Sequence, residues 1–399
     1  MRRLGAALLL SGVIALVGPA SAEAEPLGAE CSSGAGTLIA QPPVALGQLG
    51  ITSAWRLSQG EGVRVAIVDS GVDAANPHLE QAVDPGIDLV AGGDGSTDTF
   101  GHGTAVAAVI AARQVPGSGL VGVAPAARIV PVRVYASDDR DAGPTAARTA
   151  AGIEWASQQP GVKVIVVPLT TESDEVVLRD AVNAATARGV LVVAAAGNAT
   201  GSQAPTVQFP AGYPEALSVT ALDLSGQAPV GGVHVEVAAP GQQVLAVAGL
   251  SDCVLAADQP STSYASGYAG GVAALVAAAY PDESPADWQY RLLATALRPN
   301  AGERSVTVGW GLLAPYDALN FVNDGGRTGP ANPHFPAPVA EAPPGMARPA
   351  PTPDHAAEIR LALGALTGGA VASVVGGLLV RRLRVTPGAA DSSRASGRC

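Results

Sequence analysis

The sequence predicts an α/β fold: a central, mostly parallel sheet between helical layers, followed by one C-terminal transmembrane helix. Three observations predict it. Short apolar runs alternate with helix-compatible segments, as crossover units require. Those runs are almost continuously hydrophobic, as strands buried on both faces must be. Finally, Leu361 to Val380 is a 20-residue stretch without a charge, followed at once by Arg381, Arg382 and Arg384.

The strand-like runs are Val63–Val68, Arg128–Val134, Val162–Leu169, Val190–Ala195 and Ala216–Ala221, with helix-compatible segments at Thr145–Gln158 and Asp174–Arg188. Ser263–Tyr280 is rich in Ala and Val and reads as a central buried helix. The next helix carries start signals: Ser284 as N-cap, Pro285 at the first position and Asp287 in the first turn. Hydrophobic residues make up 48% of the 399 residues but aromatic ones only 4%, so Ala and Val must build the core.

Residues 1–22 read as a secretory signal peptide, with Arg2 and Arg3 at the start, an apolar run from Leu4 to Val17 and a small-residue cleavage site at Ala20-Ser21-Ala22. Residues 23–62 form an N-terminal extension and 63–325 the main domain. In 326–358 the composition changes, with nine prolines between Gly329 and Glu358, and this reads as a stiff extended linker. The run within 359–380 would span about 30 Å as a helix, the thickness of a bilayer core. The arginines of the tail, 381–399, belong on the cytoplasmic side, which puts the main domain outside the cell membrane.

The formal net charge of −11 becomes more negative outside the membrane, where residues 23–380 hold 16 basic and 33 acidic residues. Such a surface repels nucleic acid, so no nucleic-acid function is expected. Topology also divides the three cysteines. Cys31 and Cys253 fall outside, where disulfides persist, and Cys399 inside. A Cys31–Cys253 bridge is the one intramolecular pair open on the outer side; spacing alone decides neither for nor against it.

Three stretches carry the chemistry, in the order Asp, His, Ser: Val65-Ala-Ile-Val-Asp-Ser-Gly-Val72, Gly101-His-Gly-Thr-Ala-Val106 and Ser261-Thr-Ser-Tyr-Ala265. Asp69 ends a predicted strand, at the sheet edge where open parallel sheets place their sites. His102 and Ser263 open predicted helices. A hydroxyl is a poor nucleophile at neutral pH without a base, and the base needs a carboxylate to fix its tautomer. Of the five histidines, only His102 sits between two glycines, where backbone can approach closely.

The chain resembles the subtilisin-like serine protease family through these motifs and through Leu191-Val-Val-Ala-Ala-Ala-Gly-Asn198. The resemblance implies a subtilisin-like three-layer fold and a serine endopeptidase acting on protein or peptide substrates. It gives Asp69, His102 and Ser263 as catalytic residues, Asn198 as an oxyanion donor, and Pro168, Leu169 and Thr170 as the substrate-binding strand. Three positions depart from the family pattern. Ser261 stands where glycine is usual, Gly267 where proline is usual, and Pro168 begins a segment that generally reads Ser-Leu-Gly. They keep open a second reading, a catalytically weak or inactive scaffold.

The order of signal peptide, short extension, protease domain, Pro-rich linker, membrane helix and basic tail resembles the mycosins, membrane-anchored proteases associated with type VII secretion. That resemblance implies a membrane secretion complex as partner. No cofactor or metal is predicted: no His/Glu pair has helical ligand spacing, and neither a cysteine cluster nor an acidic calcium loop is found.

Overall fold

The computed structural model describes residues 36–137, 143–198 and 206–336. The predicted signal peptide, Cys31, the membrane run and the basic tail lie outside the described residues. Among the described residues no helix is long and apolar enough to cross a membrane.

Two short helices, α1 (Val44–Gln48) and α2 (Ile51–Ala54), precede β1 (Arg64–Asp69), β2 (Ile87–Asp88) and α3 (His102–Ala111). Then follow β3 (Arg128–Arg133), α4 (Ala146–Ser157), β4 (Val162–Val167), α5 (Val176–Ala187), β5 (Leu191–Ala195) and β6 (Ala216–Leu222). The last elements among the described residues are β7 (Val237–Pro240), β8 (Val244–Ala248), β9 (Ser251–Leu255), α6 (Thr262–Ala279), α7 (Pro285–Thr295) and α8 (Pro315–Asn320).

Seven strands form one sheet in the order β2-β3-β1-β4-β5-β6-β7, and every neighbouring pair is parallel. Successive side chains alternate between two cores, as the period of two demands. Val65, Ile67, Val164, Val166 and Val193 pack with α3 and α6 on one face. Ala66, Val68, Ile165, Val167 and Val192 pack with α4 and α5 on the other. Each fully buried Val or Ile contributes about 1.5–3 kcal/mol relative to exposure. Two-sided burial therefore stabilises the sheet, and it explains the unbroken apolar strands.

β1 is flanked by β3 on one side and β4 on the other, so the strand order reverses at β1. In open α/β sheets the crevice outside the carboxyl ends at such a reversal is where ligands bind. Asp69 is the last residue of β1, so the topology delivers it there.

β4 ends at Val167, two residues before the predicted end at Leu169. Pro168 has no N–H to offer the ladder, so pairing stops there. Leu169 stays buried, now against the layer built by α4 and α5. The predicted N-terminus of α7 forms as a capping box: Ser284 Oγ accepts from Asp287 N, and the Asp287 carboxylate accepts from Ser284 N at 3.0 Å. β7 and the antiparallel β8–β9 pair lie between residues 222 and 261, where the sequence predicts no element.

The extension ahead of α1 is tied to β9. Asp252 N donates to Thr37 O at 2.8 Å, and Ile39 N donates to Asp252 Oδ2 at 2.8 Å. The same carboxylate receives Ser118 Oγ at 2.5 Å and His78 Nε2 at 2.9 Å. Its neighbour Cys253 is disulfide-bonded.

Candidate active site

Asp69 is fully buried at the end of β1, as is His102 at the start of α3. His102 Nδ1 lies 2.8 Å from Asp69 Oδ2 and 3.0 Å from Oδ1. A carboxylate only accepts, so Nδ1 carries the hydrogen and, in the neutral ring, Nε2 keeps the lone pair. Asp69 Oδ1 also accepts from Ser70 N at 2.6 Å and from the Tyr135 hydroxyl at 3.1 Å. The carboxylate is thus held from three sides.

Local sequence explains why the imidazole reaches it. A Cβ at Gly103 would fall 2.2 Å from Gly71 O and 3.0 Å from Asp69 Cβ. Only glycine lets the first turn of α3 approach the end of β1 this closely. Gly103 N then donates to Ser70 Oγ at 3.0 Å, which fastens the turn to the residue after Asp69.

Asp98 satisfies the helix start. Its Oδ1 accepts from Gly101 N at 2.7 Å and Phe100 N at 3.1 Å, and its Oδ2 from Thr104 N at 2.9 Å and Thr104 Oγ1 at 2.6 Å. Of these, the Gly101 and Thr104 amides are donors that a helix start otherwise leaves without partners. Burial raises the Asp98 carboxyl above its ordinary range, with Asp69's charge adding to the rise, while its Thr104 and Gly101 donors oppose it.

Ser263 is the second residue of α6, where it is buried. Its hydroxyl donates to the carbonyl of Pro168 at 3.0 Å. The ring of the next residue, Tyr264, has its centroid 5.8 Å from that of His102, so the imidazole stands beside the first turn of α6. Gly267 faces α3, where a Cβ would meet Val109 at 3.2 Å and Val106 at 3.4 Å. Ser261 precedes the helix with φ −111° and ψ 127°. This is ordinary extended backbone, so the position requires no glycine.

Asn198 follows Gly197, whose φ of 102° takes the chain sharply off the end of β5. Its Oδ1 accepts from Thr262 N at 2.9 Å and Thr262 Oγ1 at 3.1 Å. Two residues earlier, the carbonyl of Ala196 faces His234 Nε2 at 3.0 Å. Burial holds the His234 imidazole below its ordinary range.

Of the predicted substrate strand, the Pro168 carbonyl is engaged by Ser263 and the Leu169 side chain points into the core. Thr170 is half-buried. The adjoining Thr171 exchanges both backbone hydrogen bonds with Phe209, at 2.9 and 2.8 Å.

Sequence reading missed three residues of this region: Asp98, Tyr135 and His234. Asp98 carried a readable signal, an acidic residue three places before the helix-opening Gly-His-Gly. Tyr135 and His234 carried none, because their partners are distant in the chain.

A family profile described as the Subtilase family matches residues 60–311. The chain belongs to the subtilase family. Its activity class is accordingly that of a serine-type endopeptidase. Mycosin-3 of Mycobacterium tuberculosis is 35% identical over 351 residues, covering 73% of this chain and 75% of that protein. Mycosin-1 of the same organism is 32% identical, with coverages of 75% and 78%. The solved structure of the MycP3 protease from the type VII (ESX-3) secretion system matches with a TM-score of 0.62 at 29% identity, covering 74% of this chain and 91% of that one. Other members of this subtilase's family, including subtilisin DY and thermitase, align over shorter spans.

Proposed function

We propose that this subtilase is a membrane-anchored, extracytoplasmic endopeptidase that cleaves peptide bonds through Asp69, His102 and Ser263 and works beside a type VII secretion complex. The observation that carries the reading is the fully buried Asp69–His102 pair at the sheet's reversal point, next to the helix whose second residue is Ser263.

In the reaction, Ser263 Oγ leaves the Pro168 carbonyl and turns to His102 Nε2, which takes its proton as the hydroxyl attacks the scissile carbonyl. Asp69 fixes the tautomer and stabilises the imidazolium without taking the proton itself. The oxyanion is held by the Asn198 amide and the Ser263 N–H, one of the donors in the first turn of α6 without an intrahelical acceptor. The imidazolium then protonates the leaving amine, and water, activated by the same base, releases the acyl group.

Similarity to the mycosins supports the secretion partner, and the uncharged run before the basic tail supports the anchor. The disulfide at Cys253 supports a bridge to Cys31, which would link the N-terminal extension to β9 outside the cell. Peptide mapping without reductant checks that pairing.

One observation favours the second reading, a weak or inactive scaffold. The Ser263 hydroxyl is engaged by Pro168, a residue that departs from the family pattern. Labelling of the full-length chain with a fluorophosphonate tests both. Labelling abolished in Ser263→Ala upholds the peptidase; a folded wild type that does not label upholds the scaffold. In cells, normal secretion with Ser263→Ala but not with a deletion assigns the essential task to scaffolding.

A further inference from the structure

The Asp69–His102 pair has a third, buried neighbour that lies on neither catalytic motif. β3 runs parallel to β1 with Asp69 opposite Arg133, and Val134 N donates to the Asp69 carbonyl at 2.8 Å. That register carries the next residue, Tyr135, over the carboxyl end of β1. Its ring is fully buried and braced edge-on by Phe100, with centroids 5.5 Å apart and planes at 64°. The brace leaves its hydroxyl 3.1 Å from Asp69 Oδ1.

The hydroxyl can only act as the donor there. A carboxylate offers no hydrogen, and a phenolate beside it would meet its charge without solvent. Burial, followed by the charges of Asp69 and Asp98, holds the phenol well above the ordinary tyrosine range, so it keeps its proton wherever the enzyme works. Oδ1 then receives two donors, the Ser70 amide and the Tyr135 hydroxyl, while Oδ2 makes the shorter contact to His102 Nδ1.

We propose that Tyr135 is a positioning residue of the peptidase site: by occupying Asp69 Oδ1 it holds the carboxylate in the rotamer that presents Oδ2 to the His102 Nδ1–H. This rests on the triad reading above, so the test separates the two. Tyr135→Phe in the full-length chain keeps the ring and its contact with Phe100 and removes only the hydroxyl. With a peptide substrate, kcat falls about tenfold, the scale of one hydrogen bond to a charged group. KM is unchanged, and the acid limb of the kcat/KM profile moves to lower pH because a carboxylate no longer held in that rotamer stabilises the imidazolium less.

A readout independent of turnover is the nuclear magnetic resonance of the His102 Nδ1 proton in histidine-labelled protein. A displaced resonance in folded Tyr135→Phe supports the proposal even if the wild type never reacts with fluorophosphonate, a result that would defeat only the peptidase reading. An unmoved resonance, or an unchanged kcat and acid limb in an active enzyme, overturns the positioning role.

Discussion

The side-chain oxygen of Asn198 accepts both the backbone N–H and the hydroxyl of Thr262, and this fixes which end of the carboxamide meets α6. The backbone N–H can only donate, so the oxygen is committed to the start of α6 and Nδ2 is turned away from it. A donor held in that way needs no reorganisation when negative charge develops, which is what makes an oxyanion hole effective. Asn198→Ala should lower kcat about 10²–10³-fold with little change in KM, a magnitude taken from subtilisin, itself a member of this family. Steady-state kinetics on a peptide substrate measures it, and a loss confined to KM would mean that Asn198 binds substrate instead.

Asp98 is expected to matter to catalysis without touching substrate. It receives four hydrogen bonds from residues 100 to 104, around the turn that carries His102. Asp98→Asn places an NH2 group against donors, and Asp98→Ala leaves them without partners. Either change should cost about 1–3 kcal/mol in chemical denaturation and slow fluorophosphonate labelling. An Asp98→Ala protein of unchanged stability would show that water replaces the cap completely.

Much of the proposed site is legible because its residues sit in local motifs at element ends. Asp69, His102 and Ser263 each lie where an apolar run meets small residues, and the structure puts them at the ends of β1, α3 and α6. The parallel strands were legible for the same reason that they are stable, since burial on both faces leaves an unbroken apolar run. Contacts between distant segments were not. Tyr135 meets Asp69 only through the register of β1 on β3, and the Asp252 network joins residues 39, 78, 118 and 252. The β8–β9 pair escaped notice because two five-residue strands joined by a tight turn leave too little pattern to read.

Ser261 shows a departure whose effect is energetic. Its backbone is extended, yet its hydroxyl is fully buried and has no hydrogen-bond partner among the described residues. A buried hydroxyl without a partner costs about 1–3 kcal/mol. Ser261→Ala keeps the backbone conformation and should raise the midpoint of urea unfolding by the equivalent of about 1 kcal/mol. A destabilised alanine variant would mean that the hydroxyl is satisfied in solution.

Asp252 should be among the most sensitive positions away from the site. It is buried and accepts from His78, Ser118 and Ile39. Removing this acceptor leaves its donors without a partner, at about 1–3 kcal/mol for each buried one. Asp252→Ala should lose stability on that scale and expose the Ile39 amide to hydrogen exchange. Protection retained at Ile39 would show that the extension is held by other contacts.

Glu236 should make stability fall as pH rises through the weakly acidic range. Burial raises its carboxyl from 4.5 to about 7, against the opposing effects of the Ser218 backbone, the Arg304 charge and the Gln289 amide. The folded state therefore keeps a proton that the unfolded chain releases above pH 4.5. Its stabilising contribution is complete below that value and is lost as pH rises to about 7. With Glu236 partly shielded, the loss is on the order of 2 kcal/mol. His234 acts in the opposite sense: burial lowers it from 6.5, so folding loses stability as pH drops below that value. Subtracting the two proteins isolates the glutamate, because Glu236→Gln can still accept from Gln289 Nε2 but cannot titrate. Urea unfolding at pH 4.5 and 7.5 should show wild type losing stability relative to the variant as pH rises. Parallel pH dependences in the two proteins would place the titration elsewhere.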